Sequence, residues 1–156
     1  MEWMLMPYRR YAEFSGRSRR KEYWMFALFI TLVYLVFGGM MLAGGLMNAF
    51  TAGLPSPDGA APVTPEFGPL FWLGAVLFAV FALASFIPSI SVGVRRLHDR
   101  DMSGWWYLGF IVGGAIPVIG GLISIGFIVL MALPGTTGTN RFGDDPKNPA
   151  GYDVFG

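Results

Sequence analysis

Long apolar runs alternate with short, densely polar segments along this chain, and the alternation predicts its elements. Trp24 to Phe50 contains no charged residue, more than the roughly 20 residues that a helix needs to cross a bilayer. It predicts a first transmembrane helix over 24–47, uncleaved because the run is too long for a signal-peptide core. Gly38, Gly39, Gly44 and Gly45 in its second half predict close packing or a bend. A second span is expected over 69–94, opened by Pro69, a residue suited to the first turn of a helix. Ala75, Ala79, Ala82, Ser85, Ser89 and Gly93 give it a stripe of small side chains, which in lipid lets helices approach closely. Pro88 predicts a kink.

The third run, 105–133, fits neither one straight crossing nor two full ones. A straight helix over it would be about 43 Å long against a hydrocarbon core of roughly 30 Å. Gly113-Gly114-Ala115-Ile116-Pro117-Val118-Ile119-Gly120-Gly121 breaks it in the middle. Either one tilted, kinked span or two half-length helices in a re-entrant hairpin satisfies the pattern.

The polar segments predict the remainder. Residues 1–23 interleave Trp3, Tyr8, Tyr11 and Phe14 with Arg9, Arg10 and Glu13. They read as a cytoplasmic, interfacial segment, either an amphipathic helix or an irregular juxtamembrane stretch. Ser18 is the candidate N-cap of the first span, with Glu22 in its first turn. Residues 48–68 form a Pro-rich linker without Lys or Arg, expected to be an external, solvated loop. Residues 95–104 form a charged loop expected to emerge from lipid, because charge in hydrocarbon costs several kcal/mol per group. Trp24, Trp105 and Trp106 are expected at headgroup level. Residues 134–156 are a tail rich in turn formers.

Basic residues near the spans set orientation. Arg9, Arg10, Arg17, Arg19, Arg20 and Lys21 precede the first span, the linker has no basic residue, and Arg95, Arg96 and Arg100 lie in the charged loop. The amino terminus and that loop are therefore expected in the cytoplasm. Composition agrees with the class: of 156 residues, 54% are hydrophobic and only 13% charged, about half the charged share of a soluble domain. With no cysteine, disulfides, thiolate metal sites and cysteine nucleophiles are excluded. The expected fold is an all-α integral membrane protein of one membrane domain, with three hydrophobic segments, the third broken or re-entrant, and an interfacial N-terminal segment.

Candidate chemistry concentrates in the polar segments. Arg17, Arg19, Arg20, Glu22, Arg95, Arg96, His98, Asp99, Asn140 and Arg141 form a candidate polar cluster for anionic headgroups, each basic residue worth about 1 kcal/mol near an anionic surface. The bland alternative is that the arginines only set topology. His98-Asp99 invites an acid–base reading with the carboxylate orienting the imidazole, but neighbours in a helix or strand do not face each other. A metal site would need Asp99, Asp101, Asp144 or Asp145 to converge on His98 against nearby arginines. Neither a catalytic set nor a metal site is expected, and no phosphate-binding glycine loop is present.

Three motifs resemble a known family. They are Phe14-Ser15-Gly16-Arg17-Ser18-Arg19-Arg20-Lys21-Glu22-Tyr23-Trp24, then Arg95-Arg96-Leu97-His98-Asp99 with Ser103-Gly104-Trp105-Trp106, and finally Pro134-Gly135-Thr136 with Asn140-Arg141-Phe142-Gly143 and Asp145-Pro146. In this order they resemble the YhaH/YhaI type of small bacterial inner-membrane protein, a domain of unknown function. The resemblance implies a multi-pass protein of the cytoplasmic membrane and carries over no catalytic residue.

The function expected is a non-enzymatic membrane module that docks anionic lipid headgroups or a membrane-protein partner at its cytoplasmic face. The alternatives are a small transporter or channel subunit, and a lipid-modifying enzyme using His98 and Asp99. Expected partners are membrane lipids, with a protein partner or a homo-oligomer admitted, and no nucleic acid; no cofactor is expected. Two geometric expectations follow. Glu22 should pair with an arginine of the 95–100 stretch, since a half-desolvated carboxylate left alone is costly. The tail should return to the cytoplasm.

Overall fold

The computed structural model describes residues 2–52 and 64–147. Most of the Pro-rich linker and the end of the tail, residues 148–156, lie outside the described residues. Regular structure among the described residues is helical: α1 (Glu2–Arg9), α2 (Arg20–Met41), α3 (Met47–Thr51), α4 (Pro69–His98), α5 (Trp105–Gly114) and α6 (Gly120–Ala132). A π-helical turn, Leu42–Leu46, joins α2 to α3. Among the described residues two helices are long and apolar enough to cross a membrane, the second being α4, and α6 is a shorter apolar helix.

The chain divides into two compact units, Phe29–Ser85 and a second made of Met1–Leu28 with Phe86–Gly156. Within 29–85, aromatic rings hold α2 to α4. Tyr34 stacks on Phe78 with centroids 4.7 Å apart, and Phe29 and Phe37 meet Phe81 edge-on at 6.1 and 6.0 Å. The glycines do both things that their positions suggest. Gly45 bends the chain at φ 117, a conformation that a side chain would strain. Gly44 lies so close to the start of α4 that a Cβ would collide with the Phe71 backbone nitrogen, and its carbonyl accepts a hydrogen bond from Gly68 N–H at 2.8 Å.

In the other unit, α1 packs through Tyr8, whose ring meets Phe26 edge-on at 5.4 Å. The turn after α1 is held by Ser91 of α4, whose hydroxyl donates to the Glu13 carbonyl at 2.5 Å. Helix α4 is continuous through Pro88 and extends four residues beyond the expected end at 94. Arg95, Arg96 and His98 thereby occupy its last turn, where cations favour the negative end of the helix dipole. The run 105–133 folds as two antiparallel helices. Tyr107 and Phe110 of α5 meet Phe127 of α6 at 5.7 and 5.0 Å, while nearer the turn Gly113 faces Ile123 and Gly114 faces Ser124. The turn is tight: a Cβ on Gly120 would strike the Gly114 carbonyl. Val118 within it holds φ 74, an outlier for a β-branched residue.

Polarity is distributed as in a lipid-solvated protein. Leu35, Leu83 and Leu122 point outward, 66%, 76% and 72% exposed, while Arg17, Glu22, Arg95, Arg96 and Asp99 are buried. In water such an arrangement would expose a large apolar patch and bury charge. In lipid it is the low-energy one, because polar groups face protein instead of hydrocarbon.

The packing predicts that Gly44→Ala lowers the apparent Tm of the detergent-purified protein, overpacking costing about 1–3 kcal/mol. Gly38→Ala, with nothing within 4 Å of the new methyl, should leave it unchanged; differential scanning fluorimetry compares the two.

Candidate functional site: a buried charge cluster and an open basic pocket

The sequence cluster separates into an interior set and an exterior one. Asp99 is the centre of the first. Its Oδ1 accepts Nε of Arg17 at 3.0 Å and lies 3.0 Å from Nη2 of the same guanidinium. Its Oδ2 accepts Nη1 of Arg96, one helical turn back. Its main-chain carbonyl accepts Thr136 N–H at 2.8 Å and the Thr136 hydroxyl at 3.2 Å. The charges of the 95–104 stretch therefore do not all emerge into water, as the sequence expectation had it. Arg95, Arg96 and Asp99 turn inward, where partners replace their solvent.

The remaining donors of Arg17 and Arg96 go to main-chain carbonyls. Arg17 reaches the carbonyls of Thr136, Gly138 and Gly143 in the tail. Helix α6 ends with carbonyls that have no intrahelical partner, and arginines take them: Arg96 donates to Met131 O at 3.1 Å and to Leu133 O, and Arg20 to Ala132 O at 3.3 Å. Arg100 donates to Pro134 O at 2.8 Å. Cations at a helix C-terminus also interact favourably with its dipole. The tail fits this close only because residue 135 is glycine, since a Cβ there would collide with the Asp99 carboxylate.

Glu22 pairs with Arg95, Oε1 to Nη1 3.0 Å, both side chains buried. Neither Glu22 Oε1 nor any Arg95 side-chain nitrogen has an aligned hydrogen-bond partner, so this contact is Coulombic and weakly directed. Ser18 does not cap α2. Its buried hydroxyl has no hydrogen-bond partner, whereas its N–H donates to Arg95 O at 3.0 Å, stitching the entry segment to the end of α4.

His98 and Asp99 do not act as a pair. The imidazole Nδ1 lies 3.2 Å from the Gly16 carbonyl and the ring stacks on Phe142, centroids 3.9 Å apart and planes within 4°. Gly16 holds φ 78 to present that carbonyl. Asn140 donates to His98 O at 2.9 Å and accepts from Phe142 N–H at 2.9 Å. Arg141 pairs with Asp101 at 3.0 Å on the exposed surface. Asp144 accepts from the Thr139 hydroxyl and Asp145 from the Gly138 and Lys147 N–H groups, so the aspartates are dispersed. The bonds from main-chain N–H hold the Asp145 carboxyl below the usual range.

The exterior set is basic. Arg19, Arg20, Lys21 and Lys147 line a pocket of about 430 Å³ with Trp3. Arg19 and Lys21 sit over the Trp3 ring, 5.8 and 5.5 Å from its centroid, a cation–π arrangement. The sequence pointed to Arg19 and Arg20; it did not single out Trp3, Lys21 or Lys147, and Lys147 is too distant along the chain to suggest itself. Trp24, Trp105 and Trp106 are exposed.

Two single substitutions and one double-mutant cycle test the interior set. Asp99→Asn leaves two guanidinium groups without their carboxylate, and breaking a buried pair costs about 3–5 kcal/mol. Limited proteolysis should then cleave within 134–145 while leaving that segment intact in the unaltered protein, and Gly135→Ala should release the same segment. A double-mutant cycle of Glu22→Gln with Arg95→Gln should give a coupling of about 0.5–3 kcal/mol in thermal stability; strict additivity would show that the two charges do not interact.

The family described as Protein of unknown function (DUF805) matches residues 11–144, which include the interior cluster and the first part of the tail. The chain is 35% identical over 147 residues to Inner membrane protein YhaI of Escherichia coli (strain K12), covering 94% of this chain and 97% of that one. It is 37% identical over 147 residues to Inner membrane protein YhaH of the same strain, covering 94% and 98%. No solved structure matches. With helical apolar segments, an inward-facing charge cluster and near full-length relatives in the inner membrane, the chain belongs to the DUF805 family of inner-membrane proteins.

Proposed function

We propose that this protein is a non-enzymatic membrane module that docks anionic lipid headgroups at its cytoplasmic face. The observation that carries the reading is the division of the basic residues. Arg17, Arg95 and Arg96 are used internally, but the pocket of Trp3, Arg19, Arg20, Lys21 and Lys147 has four cations and no carboxylate in its lining. It opens beside the amino-terminal end of α2, an apolar helix long enough to cross a membrane. A phosphate there meets fixed positive charge and the positive end of the helix dipole together. Trp3 supplies the amphipathic ring that interfaces favour.

In the same reading α5 and α6 are a re-entrant hairpin that enters and leaves on the cytoplasmic side. Their lengths support it, about 15 and 20 Å at 1.5 Å per residue, each short of the roughly 30 Å of hydrocarbon. So does the return of Met131 and Leu133 to Arg96, near the end of α4 from which α5 departs. The backbone at the hairpin turn is tolerable at depth if covered by protein.

Native mass spectrometry tests the headgroup site on protein from nanodiscs containing phosphatidylglycerol in phosphatidylcholine. The triple variant Arg19→Gln/Lys21→Gln/Lys147→Gln spares Arg20, which also caps α6. Losing three cations at about 1 kcal/mol each should lower phosphatidylglycerol retention by about 100-fold. Equal retention of both lipids by the unaltered protein would refute the site. For topology, the cysteine-free background permits Thr64→Cys and Thr137→Cys with a membrane-impermeant maleimide on spheroplasts. Labelling at 64 alone is expected, and labelling at 137 overturns the hairpin.

A further inference from the structure

A second cavity, separate in lining from the basic pocket, encloses about 510 Å³ between α4 and α5, within the ~300–1,000 Å³ range of small-molecule sites. Ile90 and Val94 form one wall and Leu108 and Ile111 the other, with Phe14 alongside. The two walls diverge from the turn between the helices, and that end carries His98 and Ser103; Trp105 and Tyr107 add an indole N–H and a phenol to the lining, the phenol donating to Ser89 O at 3.5 Å. From His98 to Ile90 the groove runs about 12 Å along α4 at 1.5 Å per residue. Its lining holds no guanidinium, ammonium or carboxylate group.

The state of His98 follows from its partner. A carbonyl oxygen can only accept, so the Nδ1 that faces Gly16 O at 3.2 Å carries the hydrogen. In the neutral imidazole Nε2 then keeps its lone pair. Phe142 covers one face of the ring. Nε2 sits on the groove side, 3.3 Å from where a Cβ of Gly104 would stand, and Gly104 is itself part of the lining. Glycine at 104 thus keeps the approach to Nε2 open, although a Cβ there would also strike Val94. The groove therefore presents one acceptor nitrogen, His98 Nε2, with the Ser103 hydroxyl at the same end of a channel walled by Ile90 and Val94 on one side and Leu108 and Ile111 on the other.

We infer that this groove binds a neutral, single-chain lipid with a hydroxyl headgroup, its O–H donating to His98 Nε2 and its chain lying between Ile90/Val94 and Leu108/Ile111. An anionic head finds no cation in this lining. A head with acceptors only, such as an ester, cannot use the Nε2 lone pair. A long-chain alcohol satisfies both ends.

His98 is the chain's only histidine, so uniform 15N-histidine labelling gives one imidazole to follow by NMR. The full chain in phosphatidylcholine nanodiscs at pH 8, above the ordinary imidazole range, is titrated with oleyl alcohol. The Nε2 resonance should move saturably while Nδ1, held by Gly16, stays in place. Methyl oleate, with a matching chain and no donor, should leave Nε2 unmoved. Ile111→Trp, which fills the channel, should abolish the response, with an unchanged Nδ1 resonance reporting that the site is still folded. Leu108→Phe replaces it if that resonance is lost. An Nε2 indifferent to oleyl alcohol, or shifted equally by methyl oleate, overturns the assignment. A response to dioleoylglycerol but not to oleyl alcohol overturns the single chain.

Discussion

Asp99 needs compensation that only protein can supply, since it is buried in a molecule whose outer surface is largely apolar. A lone carboxylate in such surroundings would be prohibitive, and even a simple ion pair often fails to recover its desolvation cost. Here two guanidinium groups converge on it, Arg17 from the entry segment and Arg96 from one turn back. Both retain donors that must also be satisfied. The carbonyls they use, in the tail and at the end of α6, therefore become part of the same constraint. One buried carboxylate thus ties together the entry to α2, the end of α4, the end of α6 and the tail.

The end of α6 shows how the constraint serves both sides. Its last carbonyls lack intrahelical partners. Arg20 and Arg96 supply the donors. The arginines in turn lose part of their desolvation cost to a fixed dipole of the right sign. A similar exchange occurs at the end of α4, where the His98 carbonyl accepts Asn140 and the Arg95 carbonyl accepts Ser18 N–H. The Glu22–Arg95 contact is the loosest member. It is close in distance but without aligned hydrogen bonds, so it contributes charge neutralisation more than geometry.

Division of the cations is what gives the molecule an outward-looking chemistry. If every arginine were capping a helix or neutralising Asp99, the polar face would be inert scaffolding. Arg19 and Lys21 are instead directed over Trp3, and Lys147 joins them from the tail. The tail is held by Arg17 and Asp99, so the interior cluster also governs where Lys147 stands. The groove beside His98 is different in kind, apolar with a neutral polar end, which is why a different ligand chemistry suits it.

Apolar run length and charge spacing, local properties of the chain, determined that it is helical and membrane-borne; the first helix, expected over 24–47, is interrupted after Met41 by the turn at Gly45. Glu22 as a partner for the 95–100 stretch was also legible, because a carboxylate at the mouth of one span and arginines at the end of the next leave few other choices. Helix α4 exceeded its expected end because the sequence shows where charge begins but not whether that charge has partners. Arg95, Arg96 and Asp99 read as a solvated loop until Arg17 and the tail carbonyls are brought beside them. The residues of the basic pocket were only partly visible for the same reason, Trp3 and Lys147 being far from Arg19 in sequence. Gly135 looked like ordinary turn chemistry, and only its approach to Asp99 shows why a side chain is excluded there. Hydrophobicity is written residue by residue, whereas the partner of a buried charge is a long-range fact that folding alone decides.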